Sequence, residues 1–274
     1  MQLTLFKLFF KIVNTLSSGF TAQRAVGIFY APRRFPAANW EKSALASGTP
    51  MTMPFGDEVL EATVWEGNGP TVLLVHGWEG RRGQLGKVAL ALKELGHRVV
   101  AFDGPAHGSS QKKRTTLVEF AEAVASAANH FGPVHSIVGH SFGSAATAIA
   151  VRKGTNAQRV VLISCPFSLR HVVSGFARLV GIPHRSHEKM YPIMQELHGC
   201  PESELSFQAI GPDLQIPCLL IHDQKDRYIP ATDSDLVLRT INDAELVKTD
   251  GLGHMRILQD KDVVQRVTAF ITQV

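Results

Sequence analysis

The amino-acid sequence predicts an α/β fold, in which a mostly parallel β-sheet carries helices on both of its faces. From about residue 58 onwards, short runs rich in apolar and β-branched residues alternate with longer segments of helical periodicity. The chain has 274 residues, of which 45% are apolar and 19% charged, and its 23 Gly and 14 Pro can separate many short elements. This length and composition favour one compact domain with a modest insertion.

The first strand and helix of this alternation can be placed directly. Thr71–Val75 is the first fully apolar run, which is typical of a strand that is buried on both faces. Apolar residues then recur between Leu85 and Leu92 with the i, i+3, i+4, i+7 spacing of an amphipathic helix. Gly96 follows as a typical helix end, so a strand followed by a helix is predicted here.

The same alternation continues towards the C-terminus. Helical periodicity is found between Leu117 and Ala128, within Ala145–Val151, and from Lys261 onwards. The remaining strands are predicted from the apolar runs Val99–Phe102, Val134–Val138, Val160–Cys165 and Cys218–His222, and from the shorter run Leu246–Val247.

The alternation breaks between Cys165 and Cys218. This segment instead contains amphipathic helical stretches around His171–Leu179 and Glu188–Leu197. We therefore predict a small helical cap over residues 167–213. An insertion at this point of an open α/β sheet lies over the carboxyl ends of the strands, where such sheets bind ligands.

Residues 1–57 precede the α/β domain, which we place at residues 58–274, and are predicted to form an N-terminal arm. The first fifty residues contain six basic residues and one acidic residue, which leaves 22 basic and 23 acidic residues for the rest of the chain. Because the body of the protein is nearly neutral, it offers no broad basic face, and nucleic-acid binding is not expected.

The beginning of the arm is dense in apolar residues and is interrupted by Lys7 and Lys11. A signal peptide or a membrane-spanning helix needs an uninterrupted apolar run, so neither is predicted. On a helix, Lys7, Lys11 and Asn14 share one face and leave a wide apolar surface. Two interpretations stay open: the helix packs on its own domain or on a second subunit, or it attaches peripherally to a membrane.

The chain has three cysteines, which is an odd number for a disulfide scaffold. Cys165 and Cys218 fall within or at the end of predicted core strands, where a free thiol behaves as a small hydrophobic side chain, and Cys200 lies in the cap. We expect free thiols and a cytoplasmic protein, which would be membrane-associated if the arm binds lipid.

The sequence contains a match to the nucleophile elbow G-x-S-x-G, which is Gly139-His140-Ser141-Phe142-Gly143. A serine on a tight turn between a strand and a helix takes strained backbone angles, and glycines two residues away on either side remove steric clashes. The pattern is short and occurs by chance. Here, however, an apolar strand ends before it and a helix of small residues follows it, so we predict a nucleophile rather than a serine in an ordinary glycine turn.

A serine nucleophile needs a base, and that base needs a carboxylate to orient it. His254 lies in a glycine-rich loop before the final helix and is the only histidine C-terminal to His222. The acid is expected just past the strand that follows the cap, where Asp223 and Asp226 compete. Asp226 is favoured because a few loop residues let it reach towards the histidine, and Asp223 stays as the alternative.

Acyl transfer also needs two backbone donors for the oxyanion. The N–H of Phe142, directly after the nucleophile, is the first candidate, and the N–H of Trp78, in the turn after the first apolar strand, is the second. His76 is expected to make structural hydrogen bonds in that turn. Trp78 and Glu79 either line the acyl pocket or serve packing alone.

A further motif, Asp103-Gly104-Pro105-Ala106-His107-Gly108-Ser109-Ser110, completes a resemblance to the α/β-hydrolase superfamily that extends from about residue 58 to the C-terminus. It looks like the family's D-x-x-G-H-G-x-S turn, with Ala106 where glycine is usual. The resemblance implies that Ser141 attacks a carbonyl, that His254 takes and returns the proton, and that water completes hydrolysis. Haloalkane dehalogenases and epoxide hydrolases of this superfamily use aspartate as nucleophile, so Ser141 argues against both.

The expected function is hydrolysis of a small to medium carboxylic ester or thioester, with no metal and no organic cofactor. The alternative is an inactive or non-hydrolytic member that binds a small ligand or a partner through the cap, which the intact order of Ser, Asp and His disfavours. The segment Ala25–Arg34 resembles an arm found ahead of the core in some bacterial members, and its charges are typical of a solvated face. A zinc site is not expected, because no recognised spacing relates the candidate ligands His184, His187, His198 and Cys200.

Overall fold

The structure is a computed structural model that describes residue 10, residue 15 and residues 17–273. Its centre is an eight-stranded sheet made of β1 (Thr49–Phe55), β2 (Glu58–Trp65), β3 (Gly69–Val75), β4 (His97–Phe102), β5 (Val134–His140), β6 (Arg159–Ile163), β7 (Cys218–Asp223) and β8 (Ala244–Thr249). The spatial order is β1-β2-β4-β3-β5-β6-β7-β8. β2 pairs antiparallel with β1 and β4, whereas β3 to β8 run parallel.

The sheet is connected and covered by helices, which confirms the predicted α/β class. They are α1 (Ser18–Phe29), α2 (Asn39–Ala46), α3 (Gly86–Glu94), α4 (Leu117–Phe131), α5 (Phe142–Arg152), α6 (Leu169–Val180), α7 (His184–His198), α8 (Phe207–Ile210), α9 (Thr232–Leu238), α10 (Gly253–Arg256) and α11 (Lys261–Thr272). Short 3-10 turns lie at Arg82–Leu85, Glu202–Leu205 and Gly211–Asp213.

The core consists of two apolar layers, one on each face of the sheet. Because successive side chains of a strand point to opposite faces, Val72 and Leu74 of β3 enter one layer and Leu73 and Val75 enter the other. Helices α3 and α11 cover the first layer, and α1, α4, α5 and the cap helices cover the second. This double burial explains why the central strands are continuously apolar in sequence.

The observed elements follow the sequence prediction closely in the centre of the sheet and differ at its edge. The helix predicted to begin at Ala145 already begins at Phe142, so the elbow leads directly into α5. β1 was not predicted, because most of its side chains are exposed and only Met53 is fully buried, and β2 was not placed as a strand although it is mostly buried. The sheet therefore begins inside residues 1–57, the segment predicted to be an arm.

The segment between β6 and β7 contains the two predicted cap helices, which are α6 and α7, followed by short turns and α8. Helix α1 packs along α7 and is joined to it by polar contacts at both ends. Lys189 Nζ donates to Ser18 Oγ at 2.8 Å, and the Tyr30 hydroxyl lies 2.7 Å from His198 Nε2. The arm and the cap are thus packed against each other.

The apolar helix predicted at the beginning of the arm lies outside the described residues, apart from Phe10 and Thr15. Phe10 is helical and fully buried in the core layer that also contains α1 and the cap. Among the described residues, no helix has the length and apolar character needed to cross a membrane. The three cysteines are free thiols, and Cys165 and Cys218 are buried as expected.

Asp103, at the end of β4, holds together two loops beside the sheet. Its buried carboxylate accepts the N–H of Arg82 at 2.7 Å, the N–H of Ser109 at 2.9 Å and the Arg82 guanidinium. We expect Asp103→Ala to lower the free energy of unfolding by about 3–5 kcal/mol, because buried donors lose their acceptor. Glu61→Ala is the matched control, since its half-exposed carboxylate lies 4.0 Å from the same guanidinium.

The Glu61→Ala control should lower the free energy of unfolding by about 1 kcal/mol or less. Urea unfolding of both variants measures the difference. Equal small losses in the two variants would show that Asp103 does not organise these loops.

Candidate active site

The predicted site residues meet at one edge of the sheet because parallel strands place their carboxyl ends side by side. Ser141 follows β5, Asp226 follows β7 and His254 follows β8. The turn that contains Trp78 follows β3, which is the neighbour of β5. Four loops therefore converge on one position.

Ser141 lies on a strained turn between β5 and α5. Its backbone has φ 53° and ψ −119°, a conformation that L-residues rarely adopt, and its side chain is almost buried, at 7% exposure. The Ser141 N–H donates to the Ile163 carbonyl of β6 at 2.8 Å, which ties the turn to the next strand.

Close packing around this turn requires its two glycines. A Cβ at Gly143 would lie 2.3 Å from the His76 carbonyl oxygen, and one at Gly139 would lie 2.7 Å from the Gly143 carbonyl oxygen. Both distances are shorter than van der Waals contact allows. The glycines that the elbow pattern demands are thus explained by backbone atoms of this chain.

Ser141, His254 and Asp226 form a continuous hydrogen-bonded chain. The Ser141 Oγ lies 2.9 Å from His254 Nε2, and His254 Nδ1 lies 2.6 Å from Asp226 Oδ2. Because a carboxylate only accepts, Nδ1 carries the proton and Nε2 is free to accept from the serine hydroxyl. This arrangement can accept a proton from Ser141 and stabilise the imidazolium that results.

The Asp226 carboxylate is fully buried and accepts several hydrogen bonds. Its Oδ1 accepts the N–H groups of Tyr228 at 2.8 Å and Ile229 at 3.0 Å. Burial by itself would raise the pKa of Asp226, but hydrogen bonds from His222, His254 and Ile229 hold that pKa well below its usual range. The carboxylate therefore stays ionised at neutral pH.

His222 is a contributor to this site that sequence reasoning missed. It is fully buried at the end of β7, with Nε2 3.1 Å from the Ile229 carbonyl oxygen and 3.4 Å from Asp226 Oδ2. Nε2 faces two acceptors, so it carries the proton, and Nδ1 lies 2.6 Å from Ser234 Oγ. A buried histidine four residues before the acid was the available signal.

Asp223, the alternative acid, has a different set of partners. Its Oδ2 accepts the Leu252 N–H at 2.9 Å and the Thr249 hydroxyl at 2.8 Å, and its Oδ1 accepts the Lys225 N–H at 2.9 Å. Burial opposes ionisation, but these donors lower the pKa of Asp223 below its ordinary value of 3.8. Asp223 thus joins the loops after β7 and β8, and Asp226 contacts His254.

His140, the first of the two variable residues of the elbow, was not assigned a role from the sequence. Its Nε2–H donates to the main-chain oxygen of His254 at 2.9 Å, and the two rings lie 4.7 Å apart. Burial lowers the pKa of His140 well below 6.5, so the ring is neutral. His140 therefore fixes the backbone that carries the His254 imidazole.

The two backbone donors predicted for an oxyanion lie next to Ser141. Within the described part of the chain, the N–H groups of Trp78 and Phe142 have no acceptor. The turn after β3 touches Ser141, since a Cβ at Gly77 would lie 3.0 Å from the Ser141 Cβ. The Trp78 and Phe142 rings are 4.9 Å apart and form an aromatic wall beside these donors.

Two neutral histidines pack beside this turn, since the His107 ring lies 5.1 Å from the His76 ring and 5.0 Å from the Trp78 ring. His76 Nδ1–H donates to the Gly77 carbonyl at 2.8 Å, and His76 Nε2 accepts the Gly104 N–H at 2.9 Å, as expected for a structural residue. His107 Nδ1–H donates to the Pro105 carbonyl at 2.9 Å. Burial lowers the pKa of His76 to about 4 and that of His107 to about 3.

The four residues with a weak resemblance to metal ligands are not brought together as a site. His198 contacts the Tyr30 hydroxyl, and His187 Nε2 lies 2.9 Å from the Tyr191 hydroxyl. In the portion of the chain that the structure describes, no three side chains of His, Cys, Asp or Glu are arranged to hold a metal ion.

The fold and this arrangement of side chains together define an α/β hydrolase. The family model described as "Alpha/beta hydrolase family" matches residues 72–266, so the chain belongs to the alpha/beta hydrolase family. No curated protein matches the chain.

Solved structures with the same fold include hydrolases of several kinds. An esterase from Exiguobacterium antarcticum is 14% identical, with 82% of this chain and 100% of that chain covered and a TM-score of 0.64. The thioesterase domain from the curacin biosynthetic pathway is 18% identical, with coverages of 82% and 99% and a TM-score of 0.62. A bacterial membrane phospholipase A is 16% identical, with coverages of 99% and 98% and a TM-score of 0.66.

The buried histidines make folding sensitive to acid. In the unfolded chain a histidine takes up a proton near pH 6.5, whereas His76 and His107 resist protonation until about pH 4 and pH 3. The unfolded state binds more protons in this interval, so stability is full above pH 6.5 and falls as the pH decreases. We expect the free energy of unfolding to drop by roughly 2–5 kcal/mol between pH 7 and pH 4.5.

Urea unfolding at the two pH values measures this drop. His107→Asn, which keeps a donor near the Nδ1 position and does not titrate, should reduce it, whereas replacement of the exposed His184 by Gln should leave it unchanged. A wild-type pH dependence in His107→Asn would contradict the assignment.

Proposed function

We propose that this protein is a serine hydrolase that cleaves carboxylic esters or thioesters through an acyl-enzyme intermediate. The observation that carries the proposal is the hydrogen-bonded chain from Ser141 through His254 to Asp226, with distances of 2.9 and 2.6 Å. Membership of the alpha/beta hydrolase family supports a hydrolytic reaction. The strained, nearly buried position of Ser141 is typical of a nucleophile.

In the proposed reaction, Ser141 Oγ attacks the carbonyl carbon of the substrate while its proton passes to His254 Nε2. The buried, ionised Asp226 stabilises the imidazolium that forms. The N–H groups of Phe142 and Trp78 donate to the oxyanion of the tetrahedral intermediate. The His254 proton then goes to the leaving alcohol or thiol, and the acyl group stays on Ser141.

Deacylation repeats these steps with water as the nucleophile. His254 takes a proton from water, the hydroxide attacks the acyl-serine, and the proton returns to Ser141 Oγ as the carboxylic acid leaves. Each atom and proton is supplied by the substrate, by water or by these residues. No metal or organic cofactor takes part in the proposed steps.

An apolar acyl group fits the surroundings of the nucleophile. The rings of Trp78 and Phe142 lie beside the proposed oxyanion donors, and Phe29 from the arm stacks on Trp78 at 6.2 Å between ring centroids. The similar structures include an esterase, a thioesterase domain and a phospholipase A, and all three kinds of enzyme cleave acyl bonds. We infer an acyl substrate of small to medium size on this basis.

The N-terminal arm is proposed to pack on its own domain, in a cytoplasmic protein. The complete burial of Phe10 and the contacts of α1 with α7 support this interpretation. Peripheral membrane attachment and self-association through the arm stay predictions.

Fluorophosphonate labelling tests the proposed nucleophile. We expect covalent labelling of the wild-type protein and hydrolysis of p-nitrophenyl esters, whose chain-length dependence reports pocket size. Both should be lost in Ser141→Ala and retained in Ser144→Ala, whose hydroxyl donates to the carbonyls of Gly139 and Ile163 behind the elbow. Absence of labelling of folded wild-type protein would favour the non-hydrolytic alternative, a ligand-binding protein.

The two aspartates after β7 provide a second test. Asp226→Asn should reduce kcat by about 10³–10⁴-fold, because an amide no longer selects the Nδ1–H tautomer of His254. Asp223→Asn should mainly lower the thermal unfolding temperature, since its carboxylate joins two loops. Comparable losses of kcat in both folded variants would contradict the choice of Asp226.

A further inference from the structure

The turn that presents the Trp78 N–H is held by a peptide group with a fixed direction. The Gly77 carbonyl accepts from His76 Nδ1 at 2.8 Å and from the Gly80 N–H at 3.0 Å. In a trans peptide the C=O and N–H groups point in opposite directions. Anchoring the Gly77 carbonyl on one side therefore aims the Trp78 N–H to the other side.

Glu79 occupies a position in this turn that normally favours glycine. The Gly80 N–H bond to Gly77 defines a four-residue turn in which Glu79 is the third residue, with φ +56°. Turns with a positive φ at this position prefer Gly or Asn, because other side chains are strained in this conformation. A glutamate here needs a compensating interaction.

That interaction comes from Arg33 in the N-terminal arm. Its Nε and Nη2 donate to the two carboxylate oxygens of Glu79 at 2.8 and 2.9 Å, and its main-chain N–H donates at 3.1 Å. The Arg33 side chain is 72% exposed, so the ion pair contributes little to overall stability. Its bidentate geometry nevertheless fixes the direction of the Glu79 side chain.

Other contacts of the arm reach the same turn. Phe29 packs between Trp78, at 6.2 Å, and Phe176 of cap helix α6, at 5.2 Å. The segment from Phe29 to Arg33 thus links the cap to the turn after β3. This gives a physical role to the Ala25–Arg34 motif, whose charges were predicted to be a solvated face.

We propose that Arg33 is a positioning residue for acyl transfer, which holds Glu79 and thereby aims the Trp78 N–H at the oxyanion. The inference rests on the proposed function of the site. Arg33 does not touch the substrate in this proposal. It keeps the turn in its left-handed conformation, so the Gly80 N–H continues to anchor the Gly77 carbonyl.

Two single variants test the proposal, and one of them relieves strain. Arg33→Ala removes the guanidinium, and Glu79→Gly removes the carboxylate while giving the turn the residue that its positive φ prefers. We expect Arg33→Ala to lower kcat for a p-nitrophenyl ester about 10- to 100-fold, which is part of the effect of losing an oxyanion donor. Glu79→Gly should keep kcat within about two-fold of the wild-type value, because glycine holds the positive φ without the ion pair. KM should stay within about two-fold of the wild-type value, since the ground state gains little from this donor.

Inhibition by a transition-state analogue distinguishes a misplaced Trp78 N–H from general structural damage. The inhibition constant of an alkylboronic acid, which forms a tetrahedral adduct with the serine, should rise by about the factor by which kcat/KM falls. Adding Glu79→Gly to Arg33→Ala should restore kcat to within about three-fold of the wild-type value, because a glycine in the turn no longer needs the ion pair. Arg24→Ala is the matched control, since this arginine of the same arm lies over the Phe20 ring.

Several results would overturn the proposal. These are a kcat within two-fold of wild-type in Arg33→Ala, an effect on KM alone, an equal loss in Arg24→Ala, or a double variant that is as slow as Arg33→Ala. Loss of folding in Arg33→Ala would also overturn it, because the ion pair would then serve folding and not the donor. Failure of the proposed function would be recognised separately. In that case the wild-type protein itself would neither hydrolyse esters nor react with fluorophosphonate.

Discussion

The strained backbone at Ser141 is the constraint on which the rest of the site depends. This residue can occupy a left-handed turn because Gly139 and Gly143 let the neighbouring backbone approach, and because its N–H is bound by Ile163 of the adjacent strand. The parallel sheet then brings the loops after β3, β7 and β8 to the same edge. The packed core on both faces of the sheet thus holds Ser141 in its strained conformation.

At this edge of the sheet, some buried side chains carry charge and others are neutral. The Asp226 carboxylate is buried but ionised, since several donors compensate for its burial, whereas His76, His107 and His140 are buried and neutral. The neutral histidines serve as fixed hydrogen-bond partners of backbone groups. His254, in contrast, faces both a carboxylate and the serine hydroxyl.

The sequence predicted local features of this protein better than contacts between distant segments. Apolar runs located the buried strands, and the elbow located Ser141, because both depend on neighbouring residues. The partnership of Arg33 with Glu79 joins residues 46 positions apart, and that of His140 with the main chain of His254 joins residues 114 apart. Contacts between such distant residues leave no periodic pattern in the sequence. The exposed edge strand β1 also lacks a periodic pattern of apolar residues.

The central claim is that Ser141 forms a covalent acyl intermediate. Intact-mass measurement after rapid mixing with a p-nitrophenyl ester, followed by peptide mapping, tests it most directly. We predict a burst of p-nitrophenol equal to the enzyme concentration and one acyl group on the peptide that contains Ser141. Hydrolysis without a burst and without an adduct, under conditions where deacylation is slowed by low pH, would contradict this mechanism.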